Sequence, residues 1–368
     1  MTKLDLRRQV GQLLIMGFDG TEMSPKLRTM ISTLQPGGVI LFRRNIEQAQ
    51  QTYELVRECR KLTKIPAYLC VDLEGGTVDR LRDLVAPAPA LADVVACGQK
   101  RLVRKHGRIL ADECRAFGFN VDFAPVLDLR FEASKSVLTT RTVSADPKQT
   151  ILYARELLAG LKDGGVIGCG KHFPGLGEAN LDTHHELPSI DKPWKKLLNE
   201  DLVPYRQMRK ELPFVMVAHV AYPDVTKDNT PASVSKKWIT DILKKKIGYK
   251  GLVISDDLEM GGVQSAMPIE QAAVETIRAG ADIYLVCHNE AFVWKCFEAV
   301  LTTAEKDKKF AKLVSAAATK VLKAKSKQKK QLAAMAKAPT QKTIDRLRRQ
   351  IWEFTEEIRL DAAAKEQA

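Results

Sequence analysis

The chain is predicted to fold as a (β/α)8 TIM-type barrel of the α/β class, and three observations lead there. Eight short apolar or β-branched runs recur through the first 300 residues: "QLLIMGF", "GGVILF", "AYLCVD", "FNVDFAPV", "VIGCGKH", "FVMVAHV", "GLVISDD" and "ADIYLVC". Amphipathic segments separate most of them, among them 48–62, 99–117 and 147–161, and such alternation makes βα units around a parallel sheet. Six of the runs end in ionisable groups: Arg43 and Arg44, Asp72 and Glu74, Lys171 and His172, His219, Asp256 and Asp257, and His288. A barrel of this kind builds its active site at the C-terminal mouth from such positions. Wet loops account for some polar strand ends, but not for six. A doubly wound open sheet is the competing architecture, and eight runs in this length suit the closed barrel better.

At 368 residues and 45% hydrophobic composition, the chain is long enough for one barrel of roughly 250 residues with additions. No apolar run approaches the ~20 residues of a membrane span. The opening "MTKLDLRRQVGQLLIMGFDG" has an apolar patch with no small-residue cleavage site behind it, so a cytoplasmic protein is expected. The seven cysteines are odd in number, form no CxxC and sit in apolar surroundings such as "AYLCVD". They read as buried thiols of a reducing compartment, not as a disulfide frame or a zinc site.

The net charge of +13 is concentrated at the end of the chain, where residues 301–368 hold 17 Lys+Arg against 8 Asp+Glu. "KAKSKQKKQ" carries no interleaved aromatic residue, which argues against nucleic acid and for a solvated basic segment. The organisation expected is a catalytic barrel over 1–310 and a basic helical C-terminal extension over 311–368, helical as far as Pro339. Beyond it, Ile344, Leu347, Ile351, Phe354 and Ile358 recur at helical spacing. That stripe buries either on the outside of the barrel or in a homodimer through the C-terminal helix, and docking within a monomer is the simpler reading.

Three segments carry chemistry. In "VDLEGGTVDRL", Asp72 stands at a strand end, Gly75 and Gly76 open a turn, and Arg80 lies beyond it, a pairing suited to sugar hydroxyls. No GxGxxG or P-loop occurs, so no nucleotide cofactor is expected. "KHFPGLGEANLDTHHELP" follows the fifth run and holds three of the six histidines. Pro174, Gly175 and Gly177 give it backbone freedom, while Asp182 two residues before His184 can orient the imidazole and stabilise its cation. Its rival readings are a metal site built from His184, His185 and Glu186, and a polar surface loop. No HExxH is present, and no metal is expected. "GLVISDDLEMGG" ends a strand in two carboxylates, either of which could be a nucleophile, a ligand or a helix N-cap. A carboxylate nucleophile with a separate proton donor is the apparatus of a retaining glycosidase, although the usual donor is a second carboxyl group.

Taken together, "GGVILF", "VDLEGGTVDRL", "GFNVDFAPVLDL", "KHFPGLGEANLDTHHELP", "MVAHVAYPDV" and "GLVISDDLEM" resemble family 3 glycoside hydrolases from about Gly11 to Cys287, most closely the single-domain NagZ-type β-N-acetylglucosaminidases. The resemblance implies Asp256 as nucleophile, His184 as general acid/base and Asp182 as its partner. It also implies that Asp72, Arg80, Arg141, Lys171 and His172 bind a terminal N-acetylglucosamine. It departs from the family pattern at Thr77, where an arginine usually follows the glycine pair, at Leu176, where a histidine is usual, and in "RTVSADP" after Arg141. The activity implied is retaining removal of N-acetylglucosamine from muropeptide fragments or chito-oligosaccharides, in peptidoglycan recycling. Transfer of the sugar to phosphate, or action on β-glucosides, is the alternative open to the same apparatus.

Overall fold

The computed structural model describes residues 4–179, 181 and 186–366. All eight apolar runs supply strands of one closed barrel: β1 (Leu14–Met16), β2 (Gly38–Ile40), β3 (Tyr68–Val71), β4 (Val121–Asp122), β5 (Ile167–Phe173), β6 (Phe214–Val217), β7 (Leu252–Asp257) and β8 (Ile283–Val286). Each pairs in parallel with its neighbour in sequence, and β8 closes on β1 with Leu14 opposite Tyr284 and Met16 opposite Val286. Closure excludes the open-sheet alternative.

The amphipathic segments are the helices Ala49–Leu62, Lys100–Phe117 and Pro147–Asp163, within two residues of the expected limits. Local chemistry sets these ends. The Asp146 side chain accepts from Lys148 N–H ahead of Pro147, whose fixed φ suits the first helical position. Gly118 ends the second of these helices at φ 91°, which an L side chain resists.

The barrel interior is filled from all eight strands, with Ile15, Ile40, Cys70, Val121, Cys169 and Ile254 among its members. Two members come from far along the chain: Val321 in the helix Lys308–Lys327, and Leu332 in the short helix Lys329–Ala333. They close the N-terminal end of the barrel. Lys320 Nζ reaches the carbonyl of Gly251, just before β7, at 2.6 Å, and Tyr68 at the start of β3 donates to Gln328 Oε1 at 2.9 Å. The basic segment is therefore solvated on one face only.

Its helix also stops earlier than Pro339. Arg60 donates to the Ala333 carbonyl, Arg115 to those of Gln331 and Ala334, and Tyr53 to that of Ala336. Those carbonyls find tertiary donors where a continuing helix would have supplied N–H groups. The last helix, Gln341–Glu366, buries the predicted stripe of Ile344, Leu347, Ile351, Phe354 and Ile358 within the chain, and Phe354 stacks on His106 of Lys100–Phe117. All seven cysteines are buried and unbridged, and burial pushes the Cys59 thiol up to about 12. Among the described residues no helix is long and apolar enough to cross a membrane.

Candidate active site

The C-terminal mouth of the barrel opens onto a cavity of about 300 Å³ lined by Asp72, Arg80, Arg141, Lys171, His172 and Asp256, with Glu74 among them. The side chains arrive from strand ends. Lys171 and His172 end β5, Asp256 and Asp257 end β7, and Asp72 follows β3. The next residues turn back as a small hairpin, Leu73–Gly75 with Val78–Asp79, which presents Glu74 to the cavity and leads into Arg80. That turn depends on Gly75 at φ 82°, where an added Cβ would lie 2.3 Å from the Pro89 carbonyl. Thr77 is exposed at the hairpin tip, so its departure from the family pattern falls outside the buried charges.

An alternating ion network organises the charged residues of the mouth. Glu74 takes both Nε and Nη2 of Arg141, at 2.7 and 2.8 Å, and also Lys171 Nζ at 2.6 Å. Lys171 reaches Asp72 at 2.8 Å, and Arg80 stands 3.9 Å from the other oxygen of Asp72. Burial would raise the Glu74 and Asp72 carboxyls, but Arg141 and Lys171 hold Glu74 far below the usual range, and Lys171 and Arg80 hold Asp72 below it. The same pairs outweigh burial at Lys171 and Arg141, both held above their ordinary values. All four stay charged across the physiological range.

His172 is set from behind. Its Nδ1 lies 2.7 Å from Asp128 Oδ2, its Nε2 faces Arg141 at 3.4 Å, and Asp128 also accepts the backbone N–H of Leu176 at 2.8 Å. Leu176, the second departure, is buried against the cavity wall.

The two adjacent carboxylates of β7 have different surroundings. Asp257 is buried, and its Oδ1 accepts N–H groups of Glu259 and Cys287, both at 3.1 Å. His288 Nε2 stands 3.3 Å from its Oδ2, and His219 Nε2 bonds its backbone carbonyl at 2.8 Å. Asp257 thus stitches β7 to the end of β8. Asp256 is partly exposed to the cavity and, among the described residues, takes a single hydrogen bond, from Asp257 N–H at 2.9 Å. Of the pair, Asp256 carries fewer bonds to the described residues and is the more exposed.

The loop after β5 is tied down at its described ends. Lys192 is buried against Asp201 at 2.5 Å, Glu200 at 2.7 Å and Glu178 at 3.0 Å, and Ile190 N–H bonds the Ala221 carbonyl at 3.0 Å. Asp182 and His184, assigned to proton transfer by resemblance, lie outside the described residues, as does His185 of the rival metal site. Among the described residues no group of three or more His, Cys, Asp or Glu could hold a metal.

Five of the sequence-assigned residues, Asp72, Arg80, Arg141, Lys171 and His172, meet at one cavity with Asp256. Sequence reasoning assigned no role to Glu74 or Asp128. Glu74 had a signal, since it stands two residues from Asp72 at a strand end and so on the same side. Asp128 had none, because nothing in "APVLDLR" distinguishes an aspartate that orients a histidine 44 positions away.

Residues 5–324 match the model of the glycosyl hydrolase family 3 N terminal domain. The chain is 38% identical over 277 residues to a beta-hexosaminidase of Bordetella parapertussis, covering 73% of this chain and 78% of the relative. A beta-hexosaminidase of Idiomarina loihiensis is 33% identical over 296 residues, covering 79% and 88%. Among solved structures, a family 3 beta-N-acetylglucosaminidase from Paenibacillus sp. str. FPU-7 superposes with a TM-score of 0.87 at 30% identity, over 95% of this chain and 69% of that one. NagZ from Neisseria gonorrhoeae superposes with a TM-score of 0.71 at 29% identity, over 84% and 97%. With its barrel, its charged mouth and these relatives, the chain belongs to glycoside hydrolase family 3 and is a glycoside hydrolase.

Proposed function

We propose that the protein is a retaining exo-β-N-acetylglucosaminidase in which Asp256 is the nucleophile, His184 the general acid/base and Asp182 the partner of that histidine. The observation that carries the reading is the contrast at the end of β7: Asp257 is consumed by structural bonds, while Asp256 faces a single cavity crowded with Asp72, Arg80, Arg141 and Lys171. The names of the beta-hexosaminidase relatives and the NagZ structure support the choice of sugar.

In the first step the Asp256 carboxylate attacks the anomeric carbon and the glycosidic C–O bond breaks. The leaving oxygen takes a proton from imidazolium His184. In the second step neutral His184 takes a proton from water, whose oxygen attacks the same carbon and releases Asp256 as a carboxylate, with net retention. Asp72, Arg80, Arg141, Lys171 and His172 hold the terminal sugar. A cavity of about 300 Å³ fits one sugar ring and leaves the rest of the substrate outside, which suits exo action. Muropeptide fragments are the proposed natural substrate, in cytoplasmic peptidoglycan recycling. Within this proposal residues 1–310 supply the chemistry, and residues 311–368 close the floor of the barrel and brace its side.

The test compares turnover of an aryl N-acetyl-β-glucosaminide with that of an aryl β-glucoside, with and without phosphate. We expect preference for the acetamido sugar, no stimulation by phosphate, and covalent trapping of Asp256 by a slow fluorinated substrate. Asp256→Asn should lower kcat by at least ~10³. Phosphate-dependent turnover would make the enzyme a phosphorylase, and labelling elsewhere would remove Asp256 from its role.

A further inference from the structure

Away from the mouth, the strongest unexplained feature is the charge of the floor. Between Lys308 and Ile344 the sequence holds eleven lysines and no arginine, aspartate or glutamate. Two have structural partners: Lys320 bonds Asp282 at 2.6 Å, and Lys325 is buried on Gln12 at 2.9 Å. The other nine, at 308, 309, 312, 323, 327, 329, 330, 337 and 342, are exposed, and none forms an ion pair among the described residues. At the mouth, by contrast, buried cations are matched to carboxylates.

Folding gathers this unneutralised charge at one end of the molecule. The segment enters the floor beside β7 and β8, where Lys320 meets Gly251 and Asp282. It crosses the barrel axis through Val321, Lys325 and Leu332, and leaves beside Arg60 and Arg115, which among the described residues bond its carbonyls and no carboxylate. Lys244 joins from the helical segment Lys237–Lys246, sharing Asp282 at 3.0 Å.

We infer that the floor of the barrel is a docking surface for an anionic lipid bilayer, which leaves the catalytic mouth facing away from the membrane. Charge complementarity requires a polyanion, and the residue types choose among polyanions. Lysines are flexible point charges suited to a diffuse anionic plane, each adding to attraction within a Debye length. The planar fork of arginine, which grips individual phosphates in nucleic acid, is absent from the stretch. Its single aromatic residue, Phe310, is buried and offers no face for stacking bases. Leu313 is 41% exposed beside Lys309 and Lys312, placed to enter the headgroup layer.

The experiment is co-sedimentation of the full chain with vesicles of phosphatidylcholine alone and with ~30% phosphatidylglycerol, at low salt and at ~0.5 M. Binding should be at least tenfold tighter to the anionic vesicles and should disappear at high salt. The combined variant Lys312→Gln, Lys323→Gln, Lys327→Gln and Lys330→Gln should bind them at least tenfold more weakly, with aryl glycoside hydrolysis and thermal midpoint unchanged. Equal binding to both vesicle types, or undiminished binding by the variant, overturns the inference. So does tight binding of duplex DNA without binding to vesicles, which would assign the surface to nucleic acid.

Discussion

Lys171 at the mouth of the barrel and Lys325 at its floor are 2% and 4% exposed, yet their surroundings push them in opposite directions. Two carboxylates, Asp72 and Glu74, hold Lys171 charged and above the ordinary lysine range. Among the described residues Lys325 meets the amide oxygen of Gln12 at 2.9 Å and the Tyr68 ring at 5.0 Å, and burial pulls it down to about 7. Burying a charge costs several kcal/mol unless an opposite charge answers it. The mouth supplies that charge as the carboxylates of Asp72 and Glu74. The floor supplies an amide and a ring, and burial holds the amine below the ordinary lysine range.

The largest effect should come from breaking the mouth. Lys171→Met leaves Asp72 and Glu74 crowded without their shared cation. It should destabilise the fold by ~3–5 kcal/mol and lower kcat/KM by at least ~10². Denaturant melts with turnover measurements check this, and near-normal activity would remove Lys171 from the proposed sugar site. Next, Asp128→Asn withdraws the anion behind His172. We expect KM to rise about tenfold, with a smaller change in kcat, because the imidazole is reoriented rather than removed.

The same substitution at the floor should do the reverse. Lys325→Met replaces a poorly compensated amine by an apolar chain of similar size, in a neighbourhood that already holds Val321 and Leu332. Stability at pH 6 should be unchanged or higher by ~1–4 kcal/mol, with hydrolysis unaltered. A loss above ~2 kcal/mol would mean that the cation–π contact and the Gln12 bond together outweigh desolvation.

The smallest effect separates the two lysines by pH. Because Lys325 is depressed in the fold, the unfolded chain binds its proton more readily, so this group makes stability rise between about pH 7 and the ordinary lysine range near ~10. Asp72 and Glu74 are depressed carboxylates. Their contribution is present above ~4 and is lost as pH falls through their folded values. Lys171 is raised, and its contribution is present below ~10 and lost as pH climbs through its folded value. Subtracting the Lys325→Met thermal melts from wild type over pH 6–10 should isolate an alkaline gain of several degrees. A flat difference curve would show that the amine stays protonated at the floor.

Much of the molecule was legible before folding. All eight strands could be read because a strand buried on both faces must be a continuous apolar run, and "VIGCGKH" or "GLVISDD" can be little else. The residues at their ends followed, since a parallel barrel places every strand's C-terminal end on one rim. Local patterns failed where two distant segments share one requirement. "LEGG" does not say that Glu74 will join Arg141 to Lys171. Nor does "SDD" say which aspartate will be spent on the N–H groups of Glu259 and Cys287. The Lys-rich segment read as solvated because its charges dominate the composition, whereas Val321, Lys325 and Leu332 turn inward to plug the floor.

The amino-acid order alone determined the barrel, the rim on which its chemistry sits and the family resemblance, because apolar periodicity and short motifs are written along the chain and need no partner to be read. Only the tertiary structure decided which charges are matched and which are left bare. Pairing energies in a low-dielectric interior depend on distances of a few ångströms between residues far apart along the chain, and no local pattern encodes them.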